Sequence, residues 1–81
     1  MTANPDQIIR LLEEVSGRKF DGDANTNLFE HGYLDSFTIT NMAMELELRY
    51  GFTLAFDEIS DLSFKDIASI LALVERHQKP Q

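Results

Sequence analysis

The segment Phe29-Glu30-His31-Gly32-Tyr33-Leu34-Asp35-Ser36-Phe37 closes a long loop and opens a helix, and the architecture follows from what lies on either side of it. Downstream, from Ser36 to Tyr50, the residues Ile39, Met42, Ala43, Leu46 and Tyr50 recur at helical spacing, and Gly51 stops the run. The same helix carries a second apolar line, Phe37, Met44 and Leu48, at i, i+7 and i+11. A helix with two apolar faces either sits deep in a core or offers one face to a partner. With 81 residues, the chain has little protein left to bury the second face.

Upstream, Ile8, Leu11, Leu12 and Val15 define one face of a helix over residues 5–16. Asn4 suits its N-cap, Pro5 its first position and Asp6 its positive end, and Gly17 can end it in the left-handed conformation. Farther on, Phe64, Ile67, Ala68, Leu71 and Val74 form the stripe of a helix over 64–77, with Ser63 and Asp66 spaced like a capping box. Between these lies 57–61, long enough for a turn or two of helix, and Gln78 to Gln81 reads as a frayed tail. Phe52 to Phe56 alternates like a strand but has no partner strand. The expectation is an all-α, four-helix bundle forming a single domain over 1–81: helices at 5–16, 36–50 and 64–77, a short third helix at 57–61, and a long first loop. That loop, Gly17 to Asp35, is long for such a chain. Loops of this kind are functional or hide a turn of helix, and Leu28, Phe29 and Leu34 are expected to tuck its second half onto the core.

Composition narrows the function. The chain has no cysteine, which excludes disulfides, zinc–thiolate sites, iron–sulfur ligation and thiol nucleophiles. A net charge of −7 argues against nucleic acid and anionic membrane surfaces. No apolar run approaches a membrane span, and Met1 to Asp6 lacks the features of a signal peptide, so a cytoplasmic protein is expected. The stretch from Glu30 to Asp61 carries −6 of the total charge, with Arg49 its only base. An acidic field set with apolar residues suits fast, salt-sensitive docking to basic enzyme surfaces, although a solvated face plus a helix cap produces the same pattern.

Three constellations invite chemistry. Asp21, Asp23, Asn25 and Asn27 place oxygens like the start of a calcium loop, but Thr26 stands where glycine is needed and Gly32 where a closing glutamate is needed. A polar, turn-rich loop is the better reading. Ser36 with His31 or His77 and an aspartate lacks the glycine-rich elbow and oxyanion loop of a hydrolase; His31 reads as a loop residue and His77 as a cation near a helix C-terminus. Ser36 at a helix start is different. Free backbone N–H groups and a positive dipole end would suit a phosphodiester on its hydroxyl. Asp35 beside it would cap the helix, or help present the hydroxyl to an external metal-dependent enzyme.

At Asp35-Ser36-Phe37, with Gly32 upstream and the run from Met42 to Gly51 downstream, the chain resembles the acyl carrier protein superfamily. The likeness extends over nearly its whole length: helix, long loop, Asp-Ser, acidic helix, short third helix, final helix. It implies that Ser36 receives covalent 4′-phosphopantetheine from coenzyme A through a phosphopantetheinyl transferase. The arm's thiol then holds acyl or aminoacyl groups as thioesters, so the protein is a carrier rather than an enzyme. It further implies that Phe37, Thr40 and Met44 face partners, a patch that Leu48 of the second apolar line extends, with Glu45 and Glu47 offering charge and Ile59 and Leu62 flanking the arm. The pattern Glu30-His31-Gly32-Tyr33-Leu34-Asp35-Ser36-Phe37 looks closest to D-alanyl carriers and to free-standing carriers served by adenylating acyl or aminoacyl ligases. Downstream acyl-transferring or synthase enzymes would be the other partners. A monomeric carrier in a specialised, polyketide- or nonribosomal-peptide-like pathway is therefore expected, with a D-alanyl or fatty-acid carrier protein, or an unmodified helical docking module, as alternatives.

Overall fold

In the computed structural model, residues 3–78 are described. Three helices, α1 (Pro5–Ser16), α2 (Thr38–Tyr50) and α3 (Ile67–Gln78), pack pairwise, each against both others, and a 3₁₀ turn at Phe56–Glu58 lies between the last two. The all-α class, the long first loop and a short third element are as the sequence predicts. The core is one cluster in which Ile8, Leu12, Leu28, Met42, Leu46, Phe64, Ile70 and Val74 lose all exposure to solvent.

α1 forms for the local reasons its sequence advertises. Asn4 Oδ1 accepts from the Gln7 N–H at 3.0 Å, Gln7 Oε1 accepts from the Asn4 N–H at 3.2 Å, and Gly17 closes the helix at φ +73°. A β-carbon is disfavoured at that angle, so glycine is the natural terminator.

The other boundaries shift from expectation, each for a visible reason. α2 becomes regular at Thr38 rather than at Ser36, because Ser36 and Phe37 form the turn that leads into it. The short third helix expected at 57–61 is the single 3₁₀ turn at 56–58, capped where Glu58 Oε1 accepts the Ala55 N–H at 2.8 Å. α3 begins at Ile67 rather than at Phe64, because Asp66 is its cap: Asp66 Oδ1 accepts from the Ser69 N–H at 2.7 Å. The expected Ser63–Asp66 capping box does not form, and the Ser63 N–H instead meets Ser60 Oγ at 3.3 Å. Phe64 is fully buried but sits in the preceding turn. Ala68, expected in the stripe, is exposed, and its N–H donates to the Ala24 carbonyl at 3.0 Å; Ile67, Ile70, Leu73 and Val74 are the buried face. Gln78 belongs to α3, and residues 79–81 of the expected tail lie outside the described residues, as do Met1 and Thr2.

The first loop is stitched to the core. Leu28 donates its N–H to the Lys65 carbonyl at 2.7 Å. Asn27 Oδ1 accepts from the N–H groups of Phe29 and Glu30, and the His31 N–H reaches back to the Asn27 carbonyl at 3.2 Å. This is the turn of helix that so long a loop was expected to conceal. Leu28 and Leu34 are buried and Phe29 is half-buried against the core. No helix among the described residues is long and apolar enough to cross a membrane.

Candidate functional site

The site is built around the entry to α2. Leu34 is buried and Ser36 is exposed, so the chain emerges from the core across Asp35. Asp35 Oδ1 accepts from the N–H groups of Phe37 at 2.9 Å and Thr38 at 2.8 Å, and from the Thr38 hydroxyl at 3.1 Å. Thr38 Oγ1 in turn accepts the Asp35 N–H at 2.8 Å, and the Ile39 N–H reaches the Asp35 carbonyl at 3.0 Å. Asp35 is thus the functional cap of α2. The Thr38 and Phe37 N–H groups, with the Thr38 hydroxyl, hold its carboxyl below the usual carboxylate range, so it is ionised near neutral pH.

This lock does two things for the neighbouring residue. It fixes the turn from which Ser36 projects, and it leaves the Ser36 hydroxyl, among the described residues, without a hydrogen-bond partner. It also changes one expectation. The N–H groups of Phe37 and Thr38, which would have been available to a phosphate, are taken by Asp35. What Ser36 offers is a free, exposed hydroxyl beside a fixed carboxylate whose second oxygen, Oδ2, accepts no hydrogen bond from the described residues.

Around this point the apolar line of α2 stands in solvent: Phe37 is 79% exposed, Met44 54% and Leu48 76%, and Thr40 is exposed among them. Leu62 is 78% exposed, whereas Ile59 is half-buried against the core. The two glutamates are less available than their positions suggest. Glu45 pairs with Arg49 at 3.4 Å, which also meets Glu14 at 3.1 Å. Glu47 Oε2 accepts the Leu54 N–H at 2.7 Å and ties down the loop after α2. Phe56, 93% exposed, was not singled out from sequence. Alternation groups it with Leu54, which is buried, and the 3₁₀ turn then swings Phe56 outward.

The remaining constellations dissolve into structure. Asp21 accepts from the Tyr33 hydroxyl at 2.9 Å, and Asp23 Oδ1 accepts from the Asn25 N–H at 2.8 Å. Among the described residues no group of three acids or histidines could hold a metal ion. His77 stands 2.8 Å from Glu58 Oε2 and stacks on Phe52 with ring centroids 4.7 Å apart.

A free hydroxyl, held outward on a capped helix entry beside apolar side chains, fits a long covalent prosthetic group: it needs an unhindered nucleophile and no enclosing pocket. The family model described as the phosphopantetheine attachment site matches residues 6–75. The chain belongs to this family. It is a non-catalytic carrier protein bearing covalent 4′-phosphopantetheine, of the kind modified by phosphopantetheinyl transferases.

Proposed function

We propose that Ser36 is the residue that bears the arm, and that the protein carries acyl or aminoacyl groups between an adenylating ligase and downstream acyl-transferring or synthase enzymes of a specialised pathway. The observation that carries this reading is the Asp35–Ser36 turn: a locked cap beside an exposed hydroxyl with no partner among the described residues. In loading, Ser36 Oγ attacks the phosphorus of coenzyme A that bears the pantetheine. The Oγ–P bond forms, the phosphoanhydride bond breaks, the adenosine bisphosphate departs with its electrons, and the hydroxyl proton passes to a base of the transferase. Asp35 contributes by holding the turn and by leaving Oδ2 open toward a metal carried by the transferase. Once attached, the arm supplies a thiol that holds acyl groups as thioesters.

The exposed line of Phe37, Thr40, Met44 and Leu48, continued by Leu62, supports a docking face around the arm, with Phe56 added to it. Glu30-His31-Gly32-Tyr33-Leu34-Asp35-Ser36-Phe37 supports the ligase-served carriers, D-alanyl carriers included, over fatty-acid carriers. Incubation with a phosphopantetheinyl transferase, coenzyme A and magnesium, read by intact mass, tests the attachment. The wild type is expected to gain one arm and Ser36→Ala none. Because Asp35 rather than Ser36 caps the helix, Ser36→Ala should change stability by less than about 0.5 kcal/mol. An arm on Ser36→Ala would overturn the assignment.

A further inference from the structure

The first half of the long loop is clamped onto the residues immediately before the Asp35–Ser36 turn, and one exposed cation holds the clamp. The Arg18 guanidinium carbon lies 4.3 Å from the centre of the Tyr33 ring, and Arg18 Nη1 donates to the His31 carbonyl at 2.8 Å. Gly32 lies beneath it at φ +79°, a conformation that favours glycine, and a β-carbon there would crowd Nη1 at 3.1 Å and push the guanidinium by a few tenths of an ångström. Tyr33, buried to 4% exposure, is gripped from its other side as well. Its ring meets Phe20 edge-on at 5.1 Å, and its hydroxyl donates to Asp21. Among the described residues Arg18 makes no ion pair, so these contacts are the work the structure gives it.

We propose that Arg18 is a positioning residue for loading: by clamping His31 to Tyr33 it keeps the Asp35–Ser36 turn in the one arrangement a transferase can engage. The inference rests on the reading of Ser36 as the attachment residue. Its physical basis is that two contacts of different kinds, a cation on a ring and a hydrogen bond to a carbonyl, fall on Tyr33 and His31, three and five residues before Ser36. Without them, segment 31–34 keeps its backbone bonds to the Asn27, Leu28 and Phe29 carbonyls and its buried Tyr33 and Leu34, but loses the cation that ties it to the first half of the loop. The apo protein would then spend only part of its time in the engaged arrangement. Apparent affinity falls by that fraction, whereas turnover of the bound complex does not.

The test is steady-state loading of the full apo chain by a phosphopantetheinyl transferase with coenzyme A and magnesium. For Arg18→Gln, a rise in KM for the carrier of roughly 5- to 10-fold is expected, with kcat within about twofold of wild type. Arg18→Lys, which retains the charge and one donor, should recover part of the loss. To separate positioning from direct contact with the transferase, Arg18→Gln is combined with Tyr33→Leu. If Arg18 acts through the clamp, the double variant is no worse than the poorer single one. Should Tyr33→Leu not fold, Asp21→Asn, at an exposed position, takes its place. The proposal is overturned if KM for Arg18→Gln stays within twofold of wild type, or if the two substitutions multiply independently. A failure of the underlying reading looks different: Ser36→Ala, run alongside, would then still accept the arm.

Discussion

At the scale of single residues, the division of labour between Asp35 and Ser36 is the main finding. A serine hydroxyl at a helix entry can be spent on a backbone N–H. Asp35 Oδ1 takes the N–H groups of Phe37 and Thr38, which leaves the Ser36 hydroxyl without a partner among the described residues, as the proposed attachment requires. The arrangement has a pH signature. A carboxyl held below its ordinary value of 3.8 contributes stability that is present above that value and is lost as pH falls through the lower folded value. The first turn of α2 should therefore fray in acid. Amide hydrogen exchange at Phe37 and Thr38, corrected for intrinsic rates, should accelerate as pH drops below about 3.8, and Asp35→Ala should show the fast exchange already at neutral pH. Equal protection in the variant and the wild type would show that the cap is not what holds the turn.

Among the elements, α1 was legible because its signals are local: Asn4, Pro5, Asp6 and Gly17 each act within one turn of a helix end, and the structure adds the Gln7 side chain to the cap. α3 was less legible because Phe64 obeys the helical period for a different reason. It is fully buried from within a turn, and the Asp66 cap on the Ser69 N–H, with the bond from the Leu28 N–H to the Lys65 carbonyl, distinguishes the two cases. The site shows the same split. The exposed line on α2 could be read from spacing and the Asp35–Ser36 pair from its resemblance to the carrier superfamily, whereas the Arg18 clamp joins residues 13 positions apart and the Glu47–Leu54 bond spans a chain reversal, neither of which periodicity can register. The corrected cap yields a prediction. Asp66, 7% exposed and bonded to the Ser69 N–H, should cost about 1 to 2 kcal/mol when changed to alanine. Thermal unfolding followed by circular dichroism should show Tm lower by roughly 4–8 °C per kcal/mol, whereas Ser63→Ala should leave it nearly unchanged. A larger effect at Ser63 than at Asp66 would restore the earlier helix start.

For the molecule as a whole, the balance is between a well-packed interior and an unfinished surface. Phe37, Leu48, Phe56 and Leu62 are all more than three-quarters exposed, within a stretch that carries −6 of the net −7. A protein that must engage and leave several enzymes in turn gains from steering at long range and from contacts weak enough to release. Part of that charge is committed internally, since Glu45 holds Arg49, Glu47 the Leu54 N–H, Glu58 the Ala55 N–H and His77, and Asp35 Oδ1 the α2 cap, so Glu30, Asp57 and Asp61 are the acids left wholly to the solvent. Loading by a transferase with a basic docking face should slow several-fold between 50 and 500 mM salt through KM, with kcat little changed. An unchanged KM would assign docking to the apolar line alone. The central claim, however, is about one hydroxyl, and peptide mapping by tandem mass spectrometry of the loaded wild-type protein tests it most directly. The arm is expected on the fragment containing Ser36, with none on Ser16, Ser60, Ser63 or Ser69. An arm found on any of those, or on none of the serines, would contradict the account.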